Sequence, residues 1–130
     1  MLWKSDIRKW IKMKCYEYEG KRIFEKYNIP IQRGVLAENT DEALSFFQKI
    51  NKPCVLKAQV LSGKRGKAGG VKFAENEVEL KEKFTAIKGM DIYGEKAERL
   101  LVLEKIDIQQ ELYLGITIDP VKMAPVMIFS

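Results

Sequence analysis

Apolar positions recur along the chain in two patterns. In some segments they lie three or four residues apart, as in an amphipathic helix; these are residues 16–27, 39–50 and 76–88. Elsewhere, short apolar or alternating runs predict strands at residues 31–37, 54–61, 71–74, 99–104, 111–119 and 124–130. The run at 54–61 is apolar nearly throughout, which is typical of a strand covered on both faces. This order of elements favours an α+β fold with an antiparallel sheet.

The ends of the predicted helices carry residue types that cap helices. Asn39 with Glu42, and Asn76 with Glu79, match the capping box, in which two side chains satisfy free amides of the first turn. Gly89 follows the last helix as a terminator. Each helix also has an apolar face, formed by Ile23, Phe24 and Tyr27 in the first, Ala43, Leu44, Phe47 and Ile50 in the second, and Leu80, Phe84 and Ile87 in the third.

Composition and charge narrow the class of protein. The chain has 130 residues, 46% hydrophobic and 32% charged, which is enough for one domain with a buried core. Its net charge of +5 suits an anionic ligand but is too mild to indicate a nucleic-acid-binding protein. Cys15 and Cys54 lie far apart and the chain has no histidine, so we predict no metal site and a reduced, cytoplasmic protein. No apolar run is long enough to cross a membrane.

The two ends of the chain have distinct patterns. We interpret residues 1–12, which are basic and aromatic, as an extension ahead of an internal start at Met13. A mitochondrial presequence is the alternative, disfavoured by Asp6 and by the scarcity of serine. At the other end, the apolar strand 124–130 runs to the last residue, whereas domains usually end in polar segments. We therefore expect a fragment that self-associates, most simply as a dimer that pairs or swaps its C-terminal strands.

The segment KAQVLSGKRGKAGGVKFA, residues 57–74, combines a lysine in an apolar strand with a basic glycine-rich loop. Burial of an unpaired ammonium is costly, so Lys57 needs an anion or an exposed position. The glycines let backbone amides approach a ligand closely, and Lys64, Arg65 and Lys67 supply charge. The loop spacing GxxGxxGG matches neither a P-loop nor a dinucleotide fingerprint. This segment indicates a site for nucleotide phosphates, with a mobile hairpin as the alternative.

Two carboxylates frame EKIDIQQE, residues 104–111. On a helix, Glu104 and Glu111 would share a face because they are seven residues apart. At the ends of two strands they would instead project into a common cleft. A pair of solvated surface carboxylates is the third interpretation, and the residues alone favour it.

From Met13 to its end, the chain resembles the β subunit of succinyl-CoA synthetase and related nucleoside-diphosphate-forming acyl-CoA ligases. The resemblance is carried by YEYEGKRIFEKYNIP, VLKAQVLSGKRGKAGGVK and LVLEKIDIQQELYLG. It implies an ATP-grasp fold, in which two α+β lobes hold a nucleotide, with this chain as the opening third of the subunit. Residues 31–104 would form the first lobe with its antiparallel sheet. Residues 13–30 and 105–130 would belong to an incomplete second lobe that includes its first strands.

At the phosphate end of the site, the resemblance implies roles for the residues of the glycine-rich segment. Lys57 would contact the nucleotide phosphates, and Lys64, Arg65 and Gly66 would lie in the loop that covers them. We expect Lys57→Ala to weaken nucleotide use with little loss of stability, because it removes an unpaired cation. The family usually has glycine at position 64, and a lysine there narrows the backbone conformations available for closure of the loop.

At the base end, the resemblance places Glu104 near the base, with Ile106 and Asp107 on the connection between the lobes. Glu111 matches the acidic nucleotide-site residue that opens ELYLG. Gln32 resembles the GTP-type subunits at a position where ATP-type subunits tend to have proline. The nucleotide is therefore ATP or GTP, with the choice left open.

The resemblance also implies an activity and a partner. The intact ligase converts an acyl-CoA, a nucleoside diphosphate and phosphate into acid, CoA and nucleoside triphosphate, reversibly, as in the tricarboxylic acid cycle. The phosphoryl group passes through a phosphohistidine on an α subunit, which agrees with the absence of histidine from this chain. The family's Mg²⁺ ligands, an Asn and an Asp, lie beyond Ser130. We therefore predict no catalytic and no metal-binding residue here, and no turnover by the isolated chain.

The same residues also allow functions of other classes. A non-catalytic binding module derived from such a ligase would carry the same phosphate-binding segment. A nucleic-acid-binding domain that uses GKRGK is disfavoured, because residues 62–72 contain no aromatic side chain to stack on bases. Within the enzyme class, a fragment of another ATP-grasp ligase is the alternative. We expect neither a nucleic acid nor a membrane as a partner.

Overall fold

The computed structural model describes residues 14–130, so the predicted extension at residues 1–12 lies outside the described residues. The helices of this range are α1 (Glu17–Lys26), α2 (Thr40–Ile50) and α3 (Glu77–Ile87). Its strands are β1 (Gly34–Ala37), β2 (Cys54–Ala58), β3 (Val71–Ala74), β4 (Asp91–Ile92), β5 (Glu95–Lys96), β6 (Leu100–Glu104), β7 (Leu114–Asp119) and β8 (Ala124–Phe129). Within residues 14–130, no helix is long and apolar enough to span a membrane.

The main sheet has four strands in the order β1-β6-β2-β3, and each neighbouring pair is antiparallel. The predicted α+β class with an antiparallel sheet is confirmed. Strand β6 lies between β1 and β2, so residues distant in sequence become neighbours: Gly34 pairs with Leu103, and Lys57 pairs with Leu101. Two further two-stranded sheets are formed by β4 with β5 and by β7 with β8.

The predicted N-caps are confirmed, but the reciprocal bond of each capping box differs, because Glu42 and Glu79 accept from the amides of Glu38 and Glu75, one residue before the cap. The side chain of Asn39 accepts a hydrogen bond from the Glu42 amide at 3.0 Å, and that of Asn76 accepts one from the Glu79 amide at 2.9 Å. Each cap satisfies an amide that has no partner within its own helix. At the far end of α2, Asn51 adopts a left-handed conformation and closes the helix, as its position in the sequence predicts.

Helices α2 and α3 cover one face of the sheet and form the larger core with it. Their buried side chains include Ala43 and Phe47 of α2 and Leu80, Phe84 and Ile87 of α3. They pack against inward positions of the strands, namely Ala37, Cys54, Leu56, Ala58, Ala74, Leu100 and Val102. The apolar faces predicted for these two helices are therefore the faces that form the core.

Helix α1 covers the opposite face of the sheet. Tyr18 is its buried residue and packs with Val55, Leu101 and Leu103. The guanidinium of Arg99 lies over the Tyr18 ring at 5.2 Å from its centroid, which adds a cation–π contact to this smaller core. The apolar face predicted from Ile23, Phe24 and Tyr27 is exposed instead, with Ile23 and Phe24 each 50% exposed.

Some strands are shorter than the sequence predicts, and one hairpin is missed. The second strand ends at Ala58, and the side chain of the next residue, Gln59, donates to the carbonyl oxygens of Lys57 and Ala58. The missed hairpin joins β4 to β5 through Tyr93 and Gly94, which both have positive φ. Consecutive positive φ angles are typical of the tight turns of hairpins, but tyrosine rarely signals one.

Strand β8 pairs with β7 along its whole length, from Ala124 with Asp119 to Phe129 with Leu114. The expectation that the last strand lacks a neighbour is therefore wrong on this edge. Both faces of the hairpin are nevertheless exposed to solvent, with Ile116 73% exposed on one face and Ile128 45% exposed on the other.

Candidate functional site

Lys57 lies on the face of the sheet that α1 covers. Side chains alternate along β2, so Leu56 points into the larger core while Val55 and Lys57 point toward α1. Its Nζ is 3.1 Å from Oε1 of Glu17, the first residue of α1, and the lysine side chain is 24% exposed. The chain itself thus supplies the anion that the buried strand requires. Because Lys57 is paired, the expectation that its removal costs little stability rests on a wrong premise.

Arg65 reaches the same carboxylate from the glycine-rich loop. Its Nη2 donates to Oε2 of Glu17, and its Nη1 donates to the carbonyl oxygen of Ala58 at 3.0 Å. The loop closes behind it, because the Gly70 amide donates to the Arg65 carbonyl at 2.8 Å. A Cβ at Gly70 would lie 2.6 Å from Cδ1 of Ile92, so this close approach requires glycine. Lys57 and Arg65 thus converge on one point above the end of β2.

Glu17 joins the two cations, and no sequence pattern indicated it as a site residue. Burial raises the pKa of Glu17, but the charges and hydrogen bonds of Lys57 and Arg65 outweigh it, so the pKa lies below its ordinary value. Lys21, one turn further along α1, has a lowered pKa because of burial; Glu17 opposes this shift and Lys57 adds to it. In the sequence, such a carboxylate is indicated only because the Lys57 ammonium requires an anion. This requirement does not identify which residue supplies it.

The rest of the glycine-rich loop faces solvent. Lys64, Gly66 and Lys67 are exposed, so the charges of the two lysines are open to a ligand, whereas the Lys67 amide already donates to the Lys64 carbonyl at 3.0 Å. Lys64 has φ of 63°, in the left-handed region that glycine adopts without strain. This conformation explains why a lysine at position 64 restricts the loop, as the sequence predicts.

Near the end of β6, Gln32, Glu104 and Ile106 line one groove. This groove has a volume of about 750 Å³, and its opposite wall includes Glu17, Lys21 and Phe24 of α1. The amide of Gln32 donates to the carbonyl oxygen of Glu104 at 3.2 Å. The groove therefore continues from these three predicted residues to the carboxylate that holds Lys57 and Arg65.

Arg33, which no sequence pattern indicated as a site residue, fixes the carboxylate of Glu104. Its Nε and Nη2 lie 2.9 and 2.6 Å from Oε2 of Glu104. The hydrogen bonds and charge of Arg33 hold the pKa of Glu104 below its ordinary value. Glu104 is therefore ionised at neutral pH.

Asp107 and Glu111 lie apart from this groove. With Ile106 they line a second open concavity of about 950 Å³ along residues 106–113, which ends at Ser130. Glu104 and Glu111 thus line different concavities rather than a common cleft. The interpretation of solvated carboxylates holds for Glu111, which is exposed, but not for Glu104, whose side chain is 14% exposed and paired with Arg33. Ile106 lines both concavities. Of the nine predicted residues, Gln32, Glu104 and Ile106 line one groove. Lys57 and Arg65 do not line it, but both contact Glu17, which does.

Of the two cysteines, Cys15 lines this groove and Cys54 does not. Cys54 is buried in the larger core, where burial, with a further contribution from Glu104, raises the pKa of its thiol to about 11. It is therefore protonated and unreactive at neutral pH. Among residues 14–130, no three His, Cys, Asp or Glu side chains cluster as metal ligands would.

Comparison with known proteins gives one family and a consistent set of relatives. Residues 14–130 match the family model described as ATP-grasp domain. Over 118 residues the chain is 43% identical to the β subunit of the ADP-forming succinate–CoA ligase of Halobacterium salinarum and 41% identical to that of the GDP-forming ligase of Thermus thermophilus. Each alignment covers 91% of this chain but 31% of the relative, so the chain spans about a third of these relatives' length.

Solved structures give the same likeness in three dimensions. One is the Ca. Korarchaeum cryptofilum dinucleotide-forming acetyl-coenzyme A synthetase 1 in complex with coenzyme A, Ca-AMPCP and HgCl+. It has a TM-score of 0.70 at 27% identity, over 89% of this chain and 52% of that one. The crystal structure of PH1788 from Pyrococcus horikoshii has a TM-score of 0.72 at 28% identity, over 89% of this chain and 51% of that one.

Proposed function

Because the chain belongs to the ATP-grasp domain family, we propose that it is the nucleotide-binding part of the β subunit of a nucleoside-diphosphate-forming acyl-CoA ligase. The observation that carries this proposal is the convergence of Lys57 and Arg65 on one point beside the groove of Gln32 and Glu104. Two cations at one end suit phosphates, and hydrogen-bonding groups at the other suit a base. The similarity to succinate–CoA ligase β subunits favours succinate as the acid.

At the phosphate end, charge and backbone geometry support binding of a polyphosphate. Lys57 and Arg65 face the groove side of the sheet, and charge-assisted hydrogen bonds from such groups to phosphate are stronger than neutral ones. The exposed part of the loop adds Lys64, Lys67 and the amide of Gly66. We propose that this part covers the phosphates when nucleotide binds, because its backbone amides are free of strand pairing.

At the base end, we propose that the backbone of residues 104–107 reads the edge of the purine. The carbonyl oxygen of Glu104 and the amide of Gln32 lie 3.2 Å apart in the groove, where both types of group can recognise a base. Gln32 supports the choice of GTP, while relatives that form ADP and GDP both resemble the chain. Asp107 and Glu111 would join the site from the connection between lobes.

The contacts described above do not include the remaining parts of the ligase. We propose two lobes, with residues 31–104 in the first and residues 13–30 and 105–130 in the second, in a cytoplasmic enzyme. An α subunit would supply the phosphohistidine. Mg²⁺ neutralises phosphate charge in such reactions. The described residues offer no cluster of ligands for this ion. We expect the isolated chain to bind nucleotide without turnover.

The similarity to an acetyl-coenzyme A synthetase favours acetate as the alternative acid. The choice of acid leaves the proposed nucleotide site unchanged, because the groove of Gln32 and Glu104 is also lined by Glu17, the partner of Lys57 and Arg65. A comparison of succinyl-CoA with acetyl-CoA in the complete ligase would decide between the two acids.

Nucleotide titration of the purified chain tests the proposal. Isothermal titration calorimetry with ATP and GTP should give saturable binding, and Lys57→Gln should weaken it about tenfold, the expected loss of one charge-assisted phosphate contact. Lys81→Gln is the matched control, because Lys81 is exposed on α3, away from the groove. Equal affinity in the wild type and Lys57→Gln would contradict the assignment, provided that thermal unfolding shows both to be folded.

A further inference from the structure

We propose that Glu17 occupies the phosphate position of the nucleotide site and that the nucleotide's phosphate must displace it from Lys57 and Arg65. This inference rests on the proposed function and adds a residue to that site. Glu17, in the first turn of α1, would then directly affect nucleotide affinity and the conformation of the glycine-rich loop.

Both oxygens of the Glu17 carboxylate are in use. Oε1 accepts from Nζ of Lys57 at 3.1 Å, and Oε2 accepts from Nη2 of Arg65. The three side chains are between 21% and 24% exposed, so water screens this cluster only in part. A phosphate that met Lys57 and Arg65 together would need the same donor hydrogens at the same place. The carboxylate and the phosphate therefore compete for one pair of cations.

The charge balance favours exchange once a polyphosphate arrives. Glu17 carries one negative charge against the two positive charges of Lys57 and Arg65, and Lys21 adds a third cation close enough to affect Glu17. A nucleotide phosphate brings more negative charge and more acceptor oxygens than a carboxylate. Glu17 thus lowers the affinity for phosphate without abolishing it, and it keeps the two cations paired when no nucleotide is bound.

The same contact holds the glycine-rich loop against α1. Arg65 lies in the loop, its side chain contacts Glu17 and the Ala58 carbonyl, and its own carbonyl accepts from the Gly70 amide. The Gly70 carbonyl in turn accepts from the Ala58 amide at 2.8 Å, which continues the β2–β3 pairing into the loop. When phosphate takes the guanidinium from Glu17, the loop loses its attachment to α1 and keeps its attachment to β2. Phosphate binding and loop movement are therefore coupled through Arg65.

A purely structural role for Glu17 predicts a different result. If the carboxylate only held Lys57 and Arg65 in position for the nucleotide, its neutralisation would lower both stability and affinity. If it competes with phosphate, neutralisation lowers stability and raises affinity. The two effects have opposite signs only in the second case.

The test is calorimetric titration of the full chain and its Glu17→Gln variant with ATP, GTP and inorganic tripolyphosphate. We expect about tenfold tighter binding by the variant, a typical coupling for a partly desolvated charge, together with a lower unfolding temperature and a steeper decrease of affinity with salt. Glu25→Gln, an exposed position on the same helix, is the control for charge and should bind as the wild type does. The shorter side chain of Glu17→Asp cannot bridge both cations, so this variant should bind the three anions with an affinity between those of the wild type and Glu17→Gln. It replaces Glu17→Gln in the test if that variant is unstable.

Hydrogen exchange on the nucleotide-free chain tests the loop separately. The Gly69 and Gly70 amides donate within the loop, to Gly66 and Arg65 carbonyls, and should exchange faster in Glu17→Gln. Unchanged exchange would overturn the coupling to the loop. If the wild type binds nucleotide and Glu17→Gln binds equally or more weakly, this inference fails and the proposed function stands. If no variant binds any of the three anions, the proposed function fails and the inference fails with it.

Discussion

Arg33 donates two hydrogen bonds to a single carboxylate oxygen of Glu104, from Nε at 2.9 Å and from Nη2 at 2.6 Å. The pair connects the residue before β1 to the last residue of β6, which are adjacent strands of the sheet. The Glu104 amide also donates to the Arg33 carbonyl at 3.0 Å, so backbone and side chains join at the same place. The wall of the groove at its base end is therefore fixed before a ligand binds.

Arg33→Gln should raise the pKa of Glu104 toward the ordinary carboxyl value, because the hydrogen bonds and charge of Arg33 are what lower it. A carbon-detected NMR titration of the glutamate carboxylates would measure this shift. Because the Arg33 side chain is 62% exposed, we expect only a small change in the unfolding temperature. Arg22→Gln, on an exposed part of α1, is the control and should leave the Glu104 pKa unchanged. An unshifted Glu104 in Arg33→Gln would show that solvent and backbone, rather than Arg33, set its pKa.

The helix caps were predictable because capping is local. Asn39 and Asn76 each act on an amide three residues away, so the sequence contains both partners of the interaction. The pairing of Lys57 with Glu17 was not predictable, since these residues are 40 positions apart and meet only because α1 folds across the sheet. The same holds for Arg33 and Glu104, which depend on β6 lying beside β1. The sequence around a cation can show that it requires a partner. It cannot identify that partner when the two residues meet only through the fold of the chain.

The phosphate-binding residues were predictable only because their motif resembles a known family, and the resemblance did not report how the loop is held. Lys64 and Arg65 show what the resemblance does and does not predict. Its left-handed φ of 63° is consistent with the expected preference for glycine at that position. The contact of Arg65 with Glu17, one residue later, leaves no pattern in the sequence.

Lys64→Gly should stabilise the chain by about 0.5 kcal/mol. It removes the cost of a left-handed lysine, roughly 1 kcal/mol, and this gain is partly offset by the greater entropy of glycine in the unfolded chain. Lys67→Gly is the matched control in the same loop, where φ is not positive, and it should destabilise by about 0.5 kcal/mol. Urea unfolding of both variants measures the difference. A loss of stability in both would mean that the left-handed conformation of Lys64 carries no strain.

Glu17 should also make stability depend on pH. Its pKa in the folded chain is lowered, since Lys57 and Arg65 together outweigh burial, and Lys21 is the third cation close to it. A lowered folded pKa contributes stability above the ordinary carboxyl pKa, and this contribution is lost as pH falls through the folded pKa. The wild type should therefore exceed Glu17→Gln by about 1 kcal/mol at neutral pH, with the difference shrinking in acid. Thermal unfolding of both at several pH values checks this, and a constant difference would contradict it.

The exposed hairpin β7–β8 leads to the last prediction, that the chain self-associates. Ile116 pairs with Met127 across the hairpin, and both are about two-thirds exposed or more, at 73% and 67%. An isolated two-stranded sheet is marginal in water, and apolar side chains on both of its faces favour burial against a second surface. We expect light scattering to show a molar mass that rises with concentration, and Ile116→Lys to shift the chain toward monomer. Val78→Lys is the control, because Val78 is also exposed, at 66%, but lies on α3. It should leave association unchanged. A compact monomer that persists at high concentration would show that the apolar faces of the hairpin tolerate solvent, and equal effects of the two substitutions would place the contact elsewhere on the chain.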